Sequence, residues 1–165
     1  MAHIQLYRYW APFDRDNRGG HFYTTNWLEL ENGKGNYHLE RTECMVNDAQ
    51  ESDALPFYRY REALRDAHFY TLYPEELNGG DLPLRGYVSE GHEGYAWPLI
   101  KSDIPNMIAL HRYYNTFSRD HFYTTWKELR NTPSWDNIKN GNIHPGVSGY
   151  NTEGTACFVV DDLGS

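Results

Sequence analysis

Long apolar runs are missing from this 165-residue sequence, and so is any concentration of positive charge. Without a stretch of about 18 consecutive apolar residues, no transmembrane helix is expected, and membrane insertion drops out. The formal net charge is −8, and the 15 Lys and Arg residues form no extended cluster. Nucleic acid, whose phosphates reward a concentrated positive patch, is therefore not an expected partner. Only two cysteines are present, so there is no disulfide framework, and Cys44 and Cys157 are read as free, buried thiols. Gly-x-Ser-x-Gly, His-Glu-x-x-His and a phosphate-binding glycine loop are all absent. No enzymatic activity, cofactor or metal is expected. The N-terminal Met1-Ala2-His3-Ile4-Gln5 shows no apolar signal segment, which fits a cytoplasmic protein or the mature form of a secreted one. Aliphatic residues are few. Aromatic residues take their place at 16% of the chain, led by 14 Tyr.

Those aromatics are arranged in repeats. His-Phe-Tyr-Thr occurs at His21–Thr24, His68–Thr71 and His121–Thr124, each preceded by an aromatic-basic run: Leu6-Tyr7-Arg8-Tyr9, Phe57-Tyr58-Arg59-Tyr60 and Leu110-His111-Arg112-Tyr113. A Tyr-x-x-Glu block follows, ending in Glu40, Glu90 and Glu153, and after it come Cys44-Met45-Val46, Tyr95-Ala96-Trp97 and Cys157-Phe158-Val159. In the middle copy Glu90-Gly91 and Glu93-Gly94 both fit Glu153-Gly154. The matching histidines are 47 and 53 residues apart, so the loops vary while the blocks do not. The whole chain, 1–165, is read as a single domain of three repeats, about 4–54, 55–106 and 107–163.

Alternation within each block predicts strands, with about four short strands per repeat. Asp14–Gly20, Glu62–Ala67 and Asn115–Asp120 are expected as hairpin connections, and a helical turn is expected after each His-Phe-Tyr-Thr block, with Thr25 and Thr125 as N-caps and Pro74 in a first turn. An all-β fold follows, with pseudo-threefold closed repeats arranged like a β-trefoil or, as the competitor, like a compact three-unit propeller. Closure would remove exposed strand edges.

The third unit, with Tyr113-Tyr114-Asn115, Arg119-Asp120-His121-Phe122-Tyr123-Thr124-Thr125 and Tyr150 to Ala156, resembles a bacterial and fungal repeat domain of unknown function marked by this His-Phe-Tyr-Thr motif. The resemblance spans nearly the whole chain. Members of that family are typically three-repeat domains, often attached to secreted hydrolases, which implies an accessory, glycan-binding role. The sequence departs from the motif where Gly20 and Ala67 stand in place of the Asp before His121. Leu72 replaces the second Thr, and Arg41 replaces the Gly after Glu40. The three sites are therefore expected to differ.

The candidate carbohydrate-binding residues are Arg8, His21, Tyr23 and Glu40 in the first unit and Arg59, His68, Tyr70 and Glu93 (with Glu90 as its competitor) in the second. In the third they are Arg112, Asp120, His121, Tyr123 and Glu153. Arginine and carboxylate groups suit sugar hydroxyls, and the tyrosines would supply stacking faces. The competing reading is that each Arg-His-Glu set is a polar pin, since a buried charge is costly unless paired. Repetition favours binding over catalysis, so glycans are the expected partners. A protein-binding module (a protease inhibitor or defence protein) acting through loops 78–86 and 130–149 is the alternative, and a structural accessory domain is a third. His92 and His144 are expected as solvated loop residues, and the Phe of each motif as core.

Overall fold

The computed structural model describes residues 2–51, 53–78 and 86–163. These residues form an all-β chain with nine strands: β1 (His3–Ala11), β2 (Gly20–Thr24), β3 (His38–Asn47), β4 (Leu55–Glu62), β5 (Ala67–Thr71), β6 (Tyr87–Ala96), β7 (Met107–Tyr114), β8 (His121–Thr124) and β9 (Asn151–Val160). Two short helices, α1 (Trp27–Leu30) and α2 (Trp135–Lys139), follow β2 and β8. Most of loop 78–86 lies outside the described residues.

Each sequence block builds the same three-stranded antiparallel piece. The strand with the aromatic-basic run pairs on one side with the His-Phe-Tyr-Thr strand and on the other with the strand bearing the Tyr-x-x-Glu carboxylate. The orders are β2-β1-β3, β5-β4-β6 and β8-β7-β9. Register repeats as well: Arg8 lies opposite Tyr23, Arg59 opposite Tyr70 and Arg112 opposite Tyr123. Three strands form per unit, not four. The Tyr-x-x-Glu block and the apolar block after it merge into one strand of ten residues, bent by irregular register beside each arginine. Gly91 (φ 97°) and Gly154 (φ 87°) occupy the bend in two units, in a conformation glycine adopts at little cost.

Helical turns follow the His-Phe-Tyr-Thr strands as expected, but their caps differ from the expectation. Asn26, not Thr25, caps α1 by accepting from the Leu28 N–H. Pro74 opens a 3₁₀ turn, Pro74–Asn78, and the Lys127–Leu129 turn has no side-chain cap. Thr25 and Thr125 have another task, described below.

The three pieces join through the ends of their long strands. Asn47 pairs with Tyr95, Met45 with Val160, and Trp97 bridges to Phe158. The result is one open sheet in the order β5-β4-β6-β3-β9-β7-β8, with β1 and β2 branching from β3. One core gathers Leu6, Phe57, Leu110, Val46 and Val159 with free, buried Cys44 and Cys157. A second packs Trp97 against Ile104, Met107 and Val160.

Candidate functional site

The His-Phe-Tyr-Thr strands are sheet edges, which ordinarily leave backbone groups unpaired. Here the edges meet inside the molecule, and their tyrosines satisfy one another. Tyr23 Oη donates to the Tyr123 carbonyl (2.5 Å), Tyr123 Oη to the Tyr70 carbonyl (2.7 Å) and Tyr70 Oη to the Tyr23 carbonyl (2.6 Å). Each hydroxyl also accepts a backbone N–H: Tyr70 Oη from Tyr23, Tyr123 Oη from Tyr70 and Tyr23 Oη from Tyr123. The ring centroids are 5.4 Å apart in all three pairs, edge to face. All three side chains are fully buried, and burial pushes their hydroxyl pKa values well up. Tyr23, Tyr70 and Tyr123 therefore cannot offer stacking faces to a ligand. Each of these side chains points inward, toward the other two.

The charged residues of the motif sit at the seams between units. At the first seam, Arg59 lies over Phe22 of the preceding unit, its Cζ 4.8 Å from the ring centroid, and His68 packs edge-on against the same ring. The second seam repeats this with Arg112 and His121 on Phe69, and at the closing seam Arg8 and His21 lie on Phe122, the imidazole tilted at 43° to the ring. Phe22 and Phe69 are buried, while Phe122 is half-buried.

Within each unit the Tyr-x-x-Glu carboxylate joins its Arg and His. Glu153 lies 2.9 Å from Arg112 Nε and 3.4 Å from His121 Nε2. Glu90 lies 3.1 Å from Arg59 Nε, without hydrogen-bond alignment, and 3.4 Å from His68 Nε2. Glu40 lies 2.8 Å from Arg8 Nε and 3.9 Å from His21 Nε2. Glu90 is thus the structural counterpart of Glu153. Glu93, the residue carried in the candidate set, matches Glu43 instead. Both are buried and reach across a seam to a threonine: Glu43 accepts the Thr125 N–H and hydroxyl, and Glu93 accepts those of Thr25. At the second seam the corresponding residues are Leu72, in the apolar core cluster, and Ala156, partly buried and packed against it. A polar pair has been exchanged for an apolar pair on both sides at once.

A second carboxylate reaches each seam from the preceding unit, and the sequence reading leaves it out. Glu29 forms a two-pronged pair with Arg59 (2.9 and 3.2 Å), and Glu76 does the same with Arg112 (3.2 and 2.9 Å). Each also accepts from the last threonine of its own motif, Thr24 or Thr71. The available signal was spacing, since both lie five residues beyond that threonine. Unit three is one residue shorter here. Glu128 is held by Arg41 (2.8 Å), which also bonds Glu43 and Thr124, so the departure at Arg41 compensates for the shift. Burial raises the pKa of Glu29, Glu76 and Glu153. Bonds from Arg59 and Thr24, from Arg112 and Thr71, and from His121 and Arg112 outweigh it, and all three end below the ordinary value. The bond from His68 lowers that of Glu90.

Asp120 acts on the next unit's histidine, not on its own. Its carboxylate accepts the His21 backbone N–H (2.8 Å), meets His21 Nδ1 (2.6 Å) and accepts from Tyr150 Oη (2.7 Å). Gly20 follows from this, because a Cβ there would stand 2.2 Å from Asp120 Oδ1. A carboxylate at this position needs a glycine at the matching position of the following unit. The other two seams lack it, and His68 Nδ1 and His121 Nδ1 are buried without a partner. The three motif histidines thus sit at three separate seams. Among the described residues, no group of three or more His, Cys, Asp or Glu side chains is placed to hold a metal ion.

Of the two other histidines expected as solvated loop residues, His92 is exposed but lies in a strand, and His144 departs further. His92 lies within β6, where it is exposed, with Nδ1 3.2 Å from the Gly94 carbonyl. His144 is partly buried, its Nδ1 2.7 Å from Nδ1 of fully buried His111.

No curated protein and no solved structure matches this chain. One family model does, over residues 5–160, nearly the whole length, and its span takes in all three seams. The chain therefore belongs to the family described as Domain of unknown function (DUF5648).

Proposed function

We propose that the chain is a non-catalytic carbohydrate-binding module, with its three units set about a common axis through the tyrosine ring and glycan hydroxyls taken at the seams. The compact three-unit assembly fits that ring better than a trefoil does. One observation carries the binding reading: at each of the first two seams, a single nearly buried arginine holds two carboxylates that stay partly exposed. Side-chain exposure is 32% and 28% for Glu29 and Glu90, and 32% and 31% for Glu76 and Glu153. A structural pin is complete with one carboxylate. The second leaves acceptor capacity facing solvent, rigidly aimed, which suits hydroxyl donors. At the closing seam the outward pair is Glu40 and Glu128, held by different arginines. Sites of similar kind on one rigid body would gain by avidity on a repeated glycan.

Binding to a glycan array tests the idea. Glu90→Gln and Glu153→Gln should each weaken binding at least several-fold, and the double variant should weaken it further and remove the gain from avidity, with the melting temperature lowered only modestly. A flat array for a folded protein sinks the proposal. That result would leave the seams as joints alone, the second reading, which the ion pairs surrounding each guanidinium favour.

A further inference from the structure

Segments that do not repeat come together at one place. The connection from β6 to β7, helix α2 and the chain after β9 surround a cleft of about 450 Å³. Its apolar lining includes Ile104, Met107, Ile108 and Trp135. A neighbouring depression of about 400 Å³ shares Ile100 and Lys101 with it and adds Leu55 and Leu99. Leu99 and Ile100 are 72% and 42% exposed, so the apolar lining continues onto the surface. Lys101, Lys139 and Arg130 also line the cleft, against one carboxylate, Asp161.

The three cations are not equivalent. Arg130 is committed to Asp161 through both Nε and Nη2, and Asp161 is buried. Lys101 meets Asp53, and Lys139 meets Asp136 at 3.2 Å, but the side chains of those partners are 56% and 85% exposed. Exposed pairs of this kind hold loosely, so both lysines can exchange their partner for a ligand's anion. The cleft volume falls in the range of small-molecule sites, whose usual make-up is apolar walls with a few placed polar groups.

We infer that this cleft binds a small amphipathic organic acid, its alkyl or aryl body against Ile104, Ile108 and Trp135 and its carboxylate at Lys101 and Lys139. The site is independent of the seams and stands or falls separately from glycan binding. The test titrates the whole chain with decanoate, decanol and decyltrimethylammonium, each below its micelle concentration, following amide, Trp135 indole and isoleucine methyl NMR signals. Decanoate should saturate, with shifts confined to the cleft, and bind at least 10-fold more tightly than either other probe. Lys139→Glu should weaken decanoate at least several-fold, and Ile100→Asp should weaken decanoate and decanol together, with both variants melting near the wild type. Equal binding of the three probes, no binding, shifts spread over the surface, or a Lys139→Glu protein that binds decanoate like the wild type would each overturn the inference. The contrast among probes on the unmodified chain decides the matter even if a variant misfolds.

Discussion

Three hydroxyl groups hold the interior edges of this molecule, and each does two jobs. Replacing Tyr70 with Phe removes one donor and one acceptor, stranding the N–H and C=O of Tyr23 in a fully buried place. Each stranded group costs about 1–3 kcal/mol, so Tyr70→Phe should lose roughly 2–6 kcal/mol in denaturant unfolding. Tyr23→Phe and Tyr123→Phe should lose about the same, because their bonding is identical in kind. A surface tyrosine awaiting a sugar would show almost no loss, so the measurement also separates the two readings of the motif. Gly20 permits a sharper test. Gly20→Ala meets both a positive φ (116°) and the pinned Asp120 carboxylate. Asp120→Ala alone strands the His21 N–H and Nδ1. In the double variant the clash is gone, so the combined loss should be smaller than the sum by about 1–3 kcal/mol, the coupling expected of residues in contact. Strict additivity would mean that the two positions do not meet.

At the scale of the strand and the turn, exchange of partners across seams is the organising rule. Glu93→Ala leaves the Thr25 N–H and hydroxyl unbonded and should cost about 2 kcal/mol. Adding Thr25→Leu reproduces the Leu72 and Ala156 pair of the second seam, and the double variant should recover part of the loss by thermal melting. If it melts below the single variant, the two seams are not interchangeable. The same rule explains what the sequence allowed to be read. The three strand blocks were legible because alternating aromatic and β-branched residues mark pleated strands whatever surrounds them. The burial of Tyr70 was not legible, since every residue of β5 is buried and alternation cannot rank two covered faces. The Arg-His-Glu sets were legible as sets, because their members lie in one unit. Glu29, Asp120 and Arg41 were assigned no partner or the wrong one, because each acts on the neighbouring unit and one repeat carries no record of the unit beside it. The competition between Glu90 and Glu93 dissolved for the same reason: one serves its own unit's histidine and the other the threonine of the preceding unit across the same seam.

Across the whole molecule, the closing seam differs from the other two in having no covalent link of the chain running directly across it. Unit one and unit three are brought together by the Met45–Val160 strand pairing and the Tyr23–Tyr123 bonds, and further by Asp120 with His21, Arg41 with Glu128 and Thr124, and Lys127 with the Thr42 carbonyl. Cohesion between units therefore rests heavily on carboxylates, which predicts how the protein responds to acid. Glu43 is wholly buried. Burial raises its pKa, but Arg8 and Arg41 more than offset that and hold it below the ordinary glutamate value of 4.5, as the bonds already described do for Glu29, Glu76, Glu90 and Glu153. A carboxylate lowered in the folded state contributes stability that is complete above 4.5 and lost as pH falls below it. His111 adds an earlier step. Burial and the neighbouring His144 lower it from 6.5 to about 4, so the unfolded chain takes up its proton first and stability begins to fall below 6.5. That shift corresponds to about 3 kcal/mol at full extent. Melting temperature should thus decline in two limbs, a gentle one from pH 6.5 toward 4 and a steep one below 4.5 where several glutamates protonate together. His111→Phe should flatten the first limb and leave the second in place. A single limb beginning only below 4.5 in the unmodified protein would show that His111 is not held neutral, while a melting temperature unchanged down to pH 3 would mean that the seam carboxylates do not hold the units together.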